Sequence, residues 1–180
     1  MKLENKIKSN LKNVEGSVAV FGSLYDSCLS FINKNKKILS CDLISEYSLF
    51  KSNSSSKSKG KAKKFNIKKI KKIYGKKGID TILINLDEFD KYKKTLIRDS
   101  VFISSKEIII FSFNKDYDYD MLMKRYKRYN CTSDYFELDN GFIIIIDTTF
   151  SKTKRWLNKF YFIKDTLYDV SETISNFIIN

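Results

Sequence analysis

The chain has no histidine and no proline, and only six glycines, three cysteines and one tryptophan in 180 residues. Without histidine, and without cysteine pairs at ligand spacing, the sequence argues against a zinc site, so no metal is expected. Cys28, Cys41 and Cys131 are odd in number and far apart. They read as reduced thiols of a cytoplasmic protein rather than a disulfide framework. No apolar run approaches the roughly 20 residues that span a bilayer. The longest, Phe142 to Ile146, is strand-sized, so no membrane partner is expected. The first residues, MKLENKIKSNLKN, lack the apolar stretch of a secretory signal.

What is present is ordinary hydrophobic content and an uneven charge. Hydrophobic residues make up 42% of the chain, enough for one domain with a core. The net charge is +13, and all of the excess lies early: residues 1–78 hold 19 lysines against five acids. Such asymmetry is the footprint of a face or arm that binds a polyanion. Lys, Asn, Ile, Tyr and Phe supply about half of the chain, as an AT-rich genome would dictate. That bias accounts for the total charge but not for its placement.

Val18 to Ile44 reads as strand, turn, helix, strand. Val18 to Phe21 is apolar and closed by Gly22. Leu24 to Asn33 has helical spacing at Leu24, Cys28, Phe31 and Ile32, and a second strand from Lys37 ends in Asp42. Before it, Leu3, Ile7 and Leu11 mark one stripe of a short helix expected to pack across the sheet edge. Lys51 to Lys64, KSNSSSKSKGKAKK, has no large apolar residue and is expected to be a mobile loop. Phe65 to Tyr74 is a helix with lysines on its outer face, closed by Gly75 and Gly78.

Ile79 to Asp87 is a continuous apolar run, the pattern of a parallel strand covered on both faces. A helix over 89–104 and a buried strand over 107–113 follow, and then a helix over 118–129. Ser133 to Leu138 and Phe142 to Phe150 form a hairpin around Asp139-Asn140-Gly141, where Asn-Gly tolerates positive φ. Trp156, Phe160, Ile163, Leu167, Val170, Ile174 and Phe177 alternate steps of four and three along a C-terminal amphipathic helix. That helix either lies on its own sheet or mediates self-association or a protein contact. The expected fold is α/β: a Rossmann-like, doubly wound, mostly parallel sheet over 1–150 ending in an antiparallel hairpin, plus the long helix of 151–180.

This order of elements resembles the class I S-adenosylmethionine-dependent methyltransferases over about residues 14–150. In that family the first strand ends in a Gly-rich loop whose backbone approaches the cofactor. Gly22 matches the first glycine, but Leu24 and Asp26 take the next two positions, and Val20 stands where an acid is common. Asp42, twenty residues on, matches the carboxylate that would accept the ribose hydroxyls. Asn85, with Leu86 and Asp87, sits where the family places its catalytic or substrate-facing motif, without the Asn-Pro-Pro-aromatic form. The resemblance thus implies Gly22 and Asp42 for S-adenosylmethionine and Asn85 and Asp87 for the methyl acceptor, while the lysine excess of the first part points to Lys61, Lys63, Lys64, Lys68 and Lys71 for phosphates. The residues themselves favour reading Asp87-Glu88-Asp90 as a solvated helix start, where acids suit the N-terminal dipole, over a methyl-acceptor site. The altered glycine loop favours a degenerate, non-catalytic module binding nucleic acid or protein, with no cofactor. The alternative is an active small methyltransferase acting on RNA, which needs the donor and the nucleophile held in line. A nucleotide-binding protein of another Rossmann-like type fits the terminal hairpin less well.

Overall fold

The computed structural model describes residues 1–44, 70–89, 93–114, 131–149 and 163. The chain divides into two compact units, Met1–Tyr117 with Ser133–Thr148, and Asp118–Thr132 with Thr149–Asn180. The second lies almost wholly outside the described residues, as do the expected helices over 118–129 and 151–180 and the 51–64 segment. The first unit is built on a six-stranded sheet.

Its described elements are, in order, α1 (Leu3–Leu11), β1 (Gly16–Phe21), α2 (Asp26–Lys34), β2 (Ile38–Ile44), α3 (Ile70–Tyr74), β3 (Ile79–Asn85), α4 (Lys93–Ile103), β4 (Ser104–Ser112), β5 (Thr132–Leu138) and β6 (Gly141–Asp147). The strands lie in the order β2-β1-β3-β4-β6-β5. The pairs β1–β2, β1–β3 and β3–β4 are parallel, and β6 runs antiparallel to β4. The sheet is therefore the mostly parallel, doubly wound one expected, with an antiparallel end.

The strands β3 and β4 are buried on both faces, which is why they read as unbroken apolar runs. Val18, Val20, Leu83, Ile109, Phe111 and Ile143 share one face with Leu3, Ile7 and Leu11 of α1 and with Cys28 and Ile32 of α2. All three stripe residues of α1 are fully buried. The helix lies toward the antiparallel end of the sheet: it packs against α2 and β6, and Lys6 sits over the Phe136 ring of the edge strand β5. On the opposite face, Ala19, Phe21, Ile82, Ile84, Ile108 and Ile110 are buried, and α3 and α4 pack against each other, α4 also against β4.

Two boundaries differ from the sequence reading. β2 continues two residues beyond Asp42, because its ladder with β1 runs on through Val20–Leu43 and Phe21–Ile44. The hairpin turn is Asp139-Asn140, and Gly141, at φ +144°, already belongs to β6. The Asn140 carboxamide accepts from the Leu3 N–H at 2.9 Å, so this turn also holds the start of α1. None of the three cysteines is in a disulfide. Burial raises the Cys28 thiol to about 11 and the Cys41 thiol to about 12, which leaves both unreactive at neutral pH.

Candidate ligand crevice at the strand ends

In an open α/β sheet, ligands bind outside the carboxyl ends of the strands, where successive connections diverge to opposite sides. Here that point lies between β1 and β3. The chain leaves β1 for β2 on one side, then returns to β3 on the other.

Gly22 closes β1 at φ +91°, and its N–H donates to the Ile44 carbonyl at 2.8 Å. A left-handed φ suits glycine, and space here forbids a side chain as well. A Cβ on Gly22 would lie 2.9 Å from the Asn85 Cβ, 3.1 Å from a Glu88 carboxylate oxygen and 3.2 Å from the Phe89 ring. Asn85 ends β3 directly across from this loop and is 2% exposed. Its amide donates to the Ser23 carbonyl at 3.1 Å and to Ser23 Oγ at 3.4 Å. Its carbonyl accepts from the Asp87 N–H at 3.1 Å, which caps a single 3-10 turn, Leu86–Glu88.

That turn aims two acids at neighbouring strands. Asp87 accepts from Ser112 Oγ at 2.5 Å and from the Phe113 N–H at 2.8 Å, tying the end of β3 to the end of β4. Glu88 accepts from the Ser23 N–H at 2.7 Å and from the Ser23 hydroxyl. Both donors of Ser23 are thus taken by one carboxylate from across the crevice.

Asp42 lies elsewhere. It stands opposite Ala19, on the face that β2 turns away from Cys41 and Leu43. Its carboxylate accepts from the Tyr74 hydroxyl of α3 at 2.9 Å. Burial first, and then this bond and charge, push the Tyr74 phenol well above its usual value, so it remains a donor. Gly22, Asn85 and Asp87 therefore converge at the strand ends, while Asp42 sits two residues back and on the other face.

Of the five lysines, Lys71 is described and pairs with Asp99 at 3.4 Å. Asp99 is 2% exposed and also accepts from Arg98 Nε at 3.0 Å. Lys61, Lys63, Lys64 and Lys68 lie outside the described residues. Sequence reasoning passed over Ser23, Ser112 and Tyr74, whose partners are 62–65, 25 and 32 residues away. No local pattern marks such pairs. Among the described residues, no three His, Cys, Asp or Glu side chains group as for a metal, and no helix is long and apolar enough to cross a membrane.

No protein-family profile matches this sequence, and no curated protein matches it at a significant level. Solved structures do match. An rRNA methylase from Streptococcus thermophilus has a TM-score of 0.56 at 9% identity, over 82% of this chain and 94% of that one. An O-methyltransferase family protein from Burkholderia thailandensis has a TM-score of 0.58 at 6% identity, over 83% of this chain and 56% of that one. TrmK of M. capricolum, in complex with S-adenosyl-homocysteine, has a TM-score of 0.52 at 13% identity, over 82% of this chain and 67% of that one. At these identities the likeness is one of fold, and the fold of this chain is that of the class I S-adenosylmethionine-dependent methyltransferases.

Proposed function

We propose that this chain is a methyltransferase-fold protein without catalysis that works as a nucleic-acid-binding module. One observation carries the reading: Ser23 spends both of its donors on Glu88, across the point where this fold takes its ligand. The front of Gly22 faces Asn85, Glu88 and Phe89 of the chain itself. Asp42 is held by Tyr74 on the opposite face. These residues do not fit S-adenosylmethionine, and no catalytic role follows for Asn85 or Asp87, whose side chains bond the loop after β1 and the end of β4. The polyanion partner is supported by the 19 lysines before residue 79, and one of the similar structures is an rRNA methylase.

A second reading, an active small methyltransferase acting on RNA, is favoured by one feature. Among the described residues Asp42 accepts a single hydrogen bond, which leaves its carboxylate room for the ribose hydroxyls.

The test is calorimetric titration with S-adenosylmethionine and S-adenosylhomocysteine at two temperatures. No heat from the folded protein is expected. Micromolar binding that disappears in Asp42→Ala overturns the non-catalytic reading in favour of the second. For the partner, RNA binding is followed across a salt series. Changing Lys61, Lys63, Lys64 and Lys68 together to Ala is expected to lower the slope of log affinity against log salt by roughly 3. An unchanged slope removes the nucleic-acid claim. Lys71→Ala is expected to act on stability instead, through its buried partner Asp99.

A further inference from the structure

We infer that Glu88 is an internal occupant of an anion site: the chain plugs its own ligand crevice with a carboxylate, and removing that side chain exposes a site for a small free carboxylate. The inference rests on the reading that the crevice is closed in the natural sequence.

Three features make the Glu88 position a ligand position rather than an ordinary surface bond. The first is its place, at the divergence between β1 and β3, beside a glycine at φ +91° whose missing side chain lets the carboxylate approach. The second is the donor set. Glu88 is held by a backbone N–H and a hydroxyl of the loop between β1 and α2, and among the described residues no cation pairs with it. Neutral donors fixed on a loop are how protein backbones hold ligand anions. The third is independence. The loop is fixed by the Asn85 amide on the Ser23 carbonyl. The 3-10 turn is fixed by Asn85 on the Asp87 N–H and by Asp87 on Ser112 and Phe113. None of these bonds involves Glu88. Truncating it leaves Ser23 presented in the same geometry with its two donors unpaired, and unpaired partly buried donors bind an anion that fits.

The experiment uses Glu88→Ala in the full chain, with acetate and formate as probes and chloride at equal ionic strength as control. Glu88→Ala is expected to melt several degrees below the natural protein. Acetate is expected to restore a saturable part of that loss and to shift the Ser23 amide resonance. The natural protein and Glu88→Gln, whose carboxamide oxygen still accepts from Ser23, are expected to show neither effect. An equal response to acetate and chloride, or an equal response in all three proteins, overturns the inference. Should Glu88→Ala be unfolded in buffer alone, folding recovered by acetate or formate supports the site, and no recovery overturns it. The two readings fail separately. S-adenosylmethionine binding by the natural protein sinks the closed crevice, whereas a missing acetate response with no such binding sinks only the anion site.

Discussion

Glu107 of β4 stands directly opposite Asp147 of β6 in the antiparallel ladder, so two carboxylates face each other across one strand pair. Burial raises the Glu107 carboxyl above its ordinary value and Asp147 raises it further, against a hydrogen bond from Thr81 at 3.3 Å. A carboxyl raised in the folded state binds its proton more tightly there than in the unfolded chain. Stability therefore falls as pH rises from the ordinary carboxylate range through the raised value. Glu107→Gln is expected to gain about 0.2–1 kcal/mol at neutral pH, the scale of a like-charge cross-strand pair. The gain is expected to vanish below about pH 4, where the natural side chain is already protonated. Urea unfolding at both pH values checks it, and an equal gain at both contradicts the assignment.

The opposite sign applies at the start of the neighbouring strand. Burial works to raise the Asp80 carboxyl, but bonds from the Ser17 N–H, from the Ser105 and Ser17 hydroxyls, and the Lys106 charge together hold it below the usual value. Its contribution is then complete above the unfolded value and is lost as pH falls through the folded one. Asp80→Asn is expected to be less stable than the natural protein at neutral pH, with the difference shrinking on acidification below about pH 4. A constant difference across that range would show that the charge is not the cause.

Two glycines with positive φ separate strain from crowding. Gly22 sits at +91° with Asn85, Glu88 and Phe89 in the way of a side chain, whereas Gly75 sits at +68° with nothing within 4 Å. Gly75→Ala is expected to cost about 1–2 kcal/mol from backbone strain alone. Gly22→Ala is expected to cost more, because the crevice must also open. Equal losses in chemical denaturation would mean that the crevice yields freely.

Helix α1 is expected to be part of the core rather than an appendage. Ile7→Ala, at a fully buried site, is expected to cost about 2–5 kcal/mol. A loss under 1 kcal/mol, roughly the scale of a surface substitution, would place α1 outside the cooperative unit.

The sheet was legible because its central strands are covered on both faces. Ile82-Leu83-Ile84 and Ile108-Ile109-Ile110 must be apolar at every position, and the short length and β-branched content of these runs mark them as strands rather than buried helix. The stripe of α1 was legible for the related reason that a helix on a core shows one apolar face, though nothing local says which surface it meets. The ends of elements were less so. Asp42 reads as a strand end because an acid interrupts an apolar run, but Leu43 and Ile44 carry the ladder on through backbone bonds that any residue can make.

The candidate site divides in the same way. Gly22, Asn85 and Asp87 were named through the resemblance to the methyltransferase family, and parallel topology brings the ends of β1 and β3 to one edge. That Glu88 would reach Ser23, 65 residues away, and that Tyr74 would take Asp42 on the far face, was decided by the tertiary structure alone. Strand and helix periodicity act over a few residues, and the hydrophobic burial they direct is non-directional. A hydrogen bond between side chains depends on distance and angle to within tenths of an ångström, which is set only when the sheet has fixed both strand ends in space.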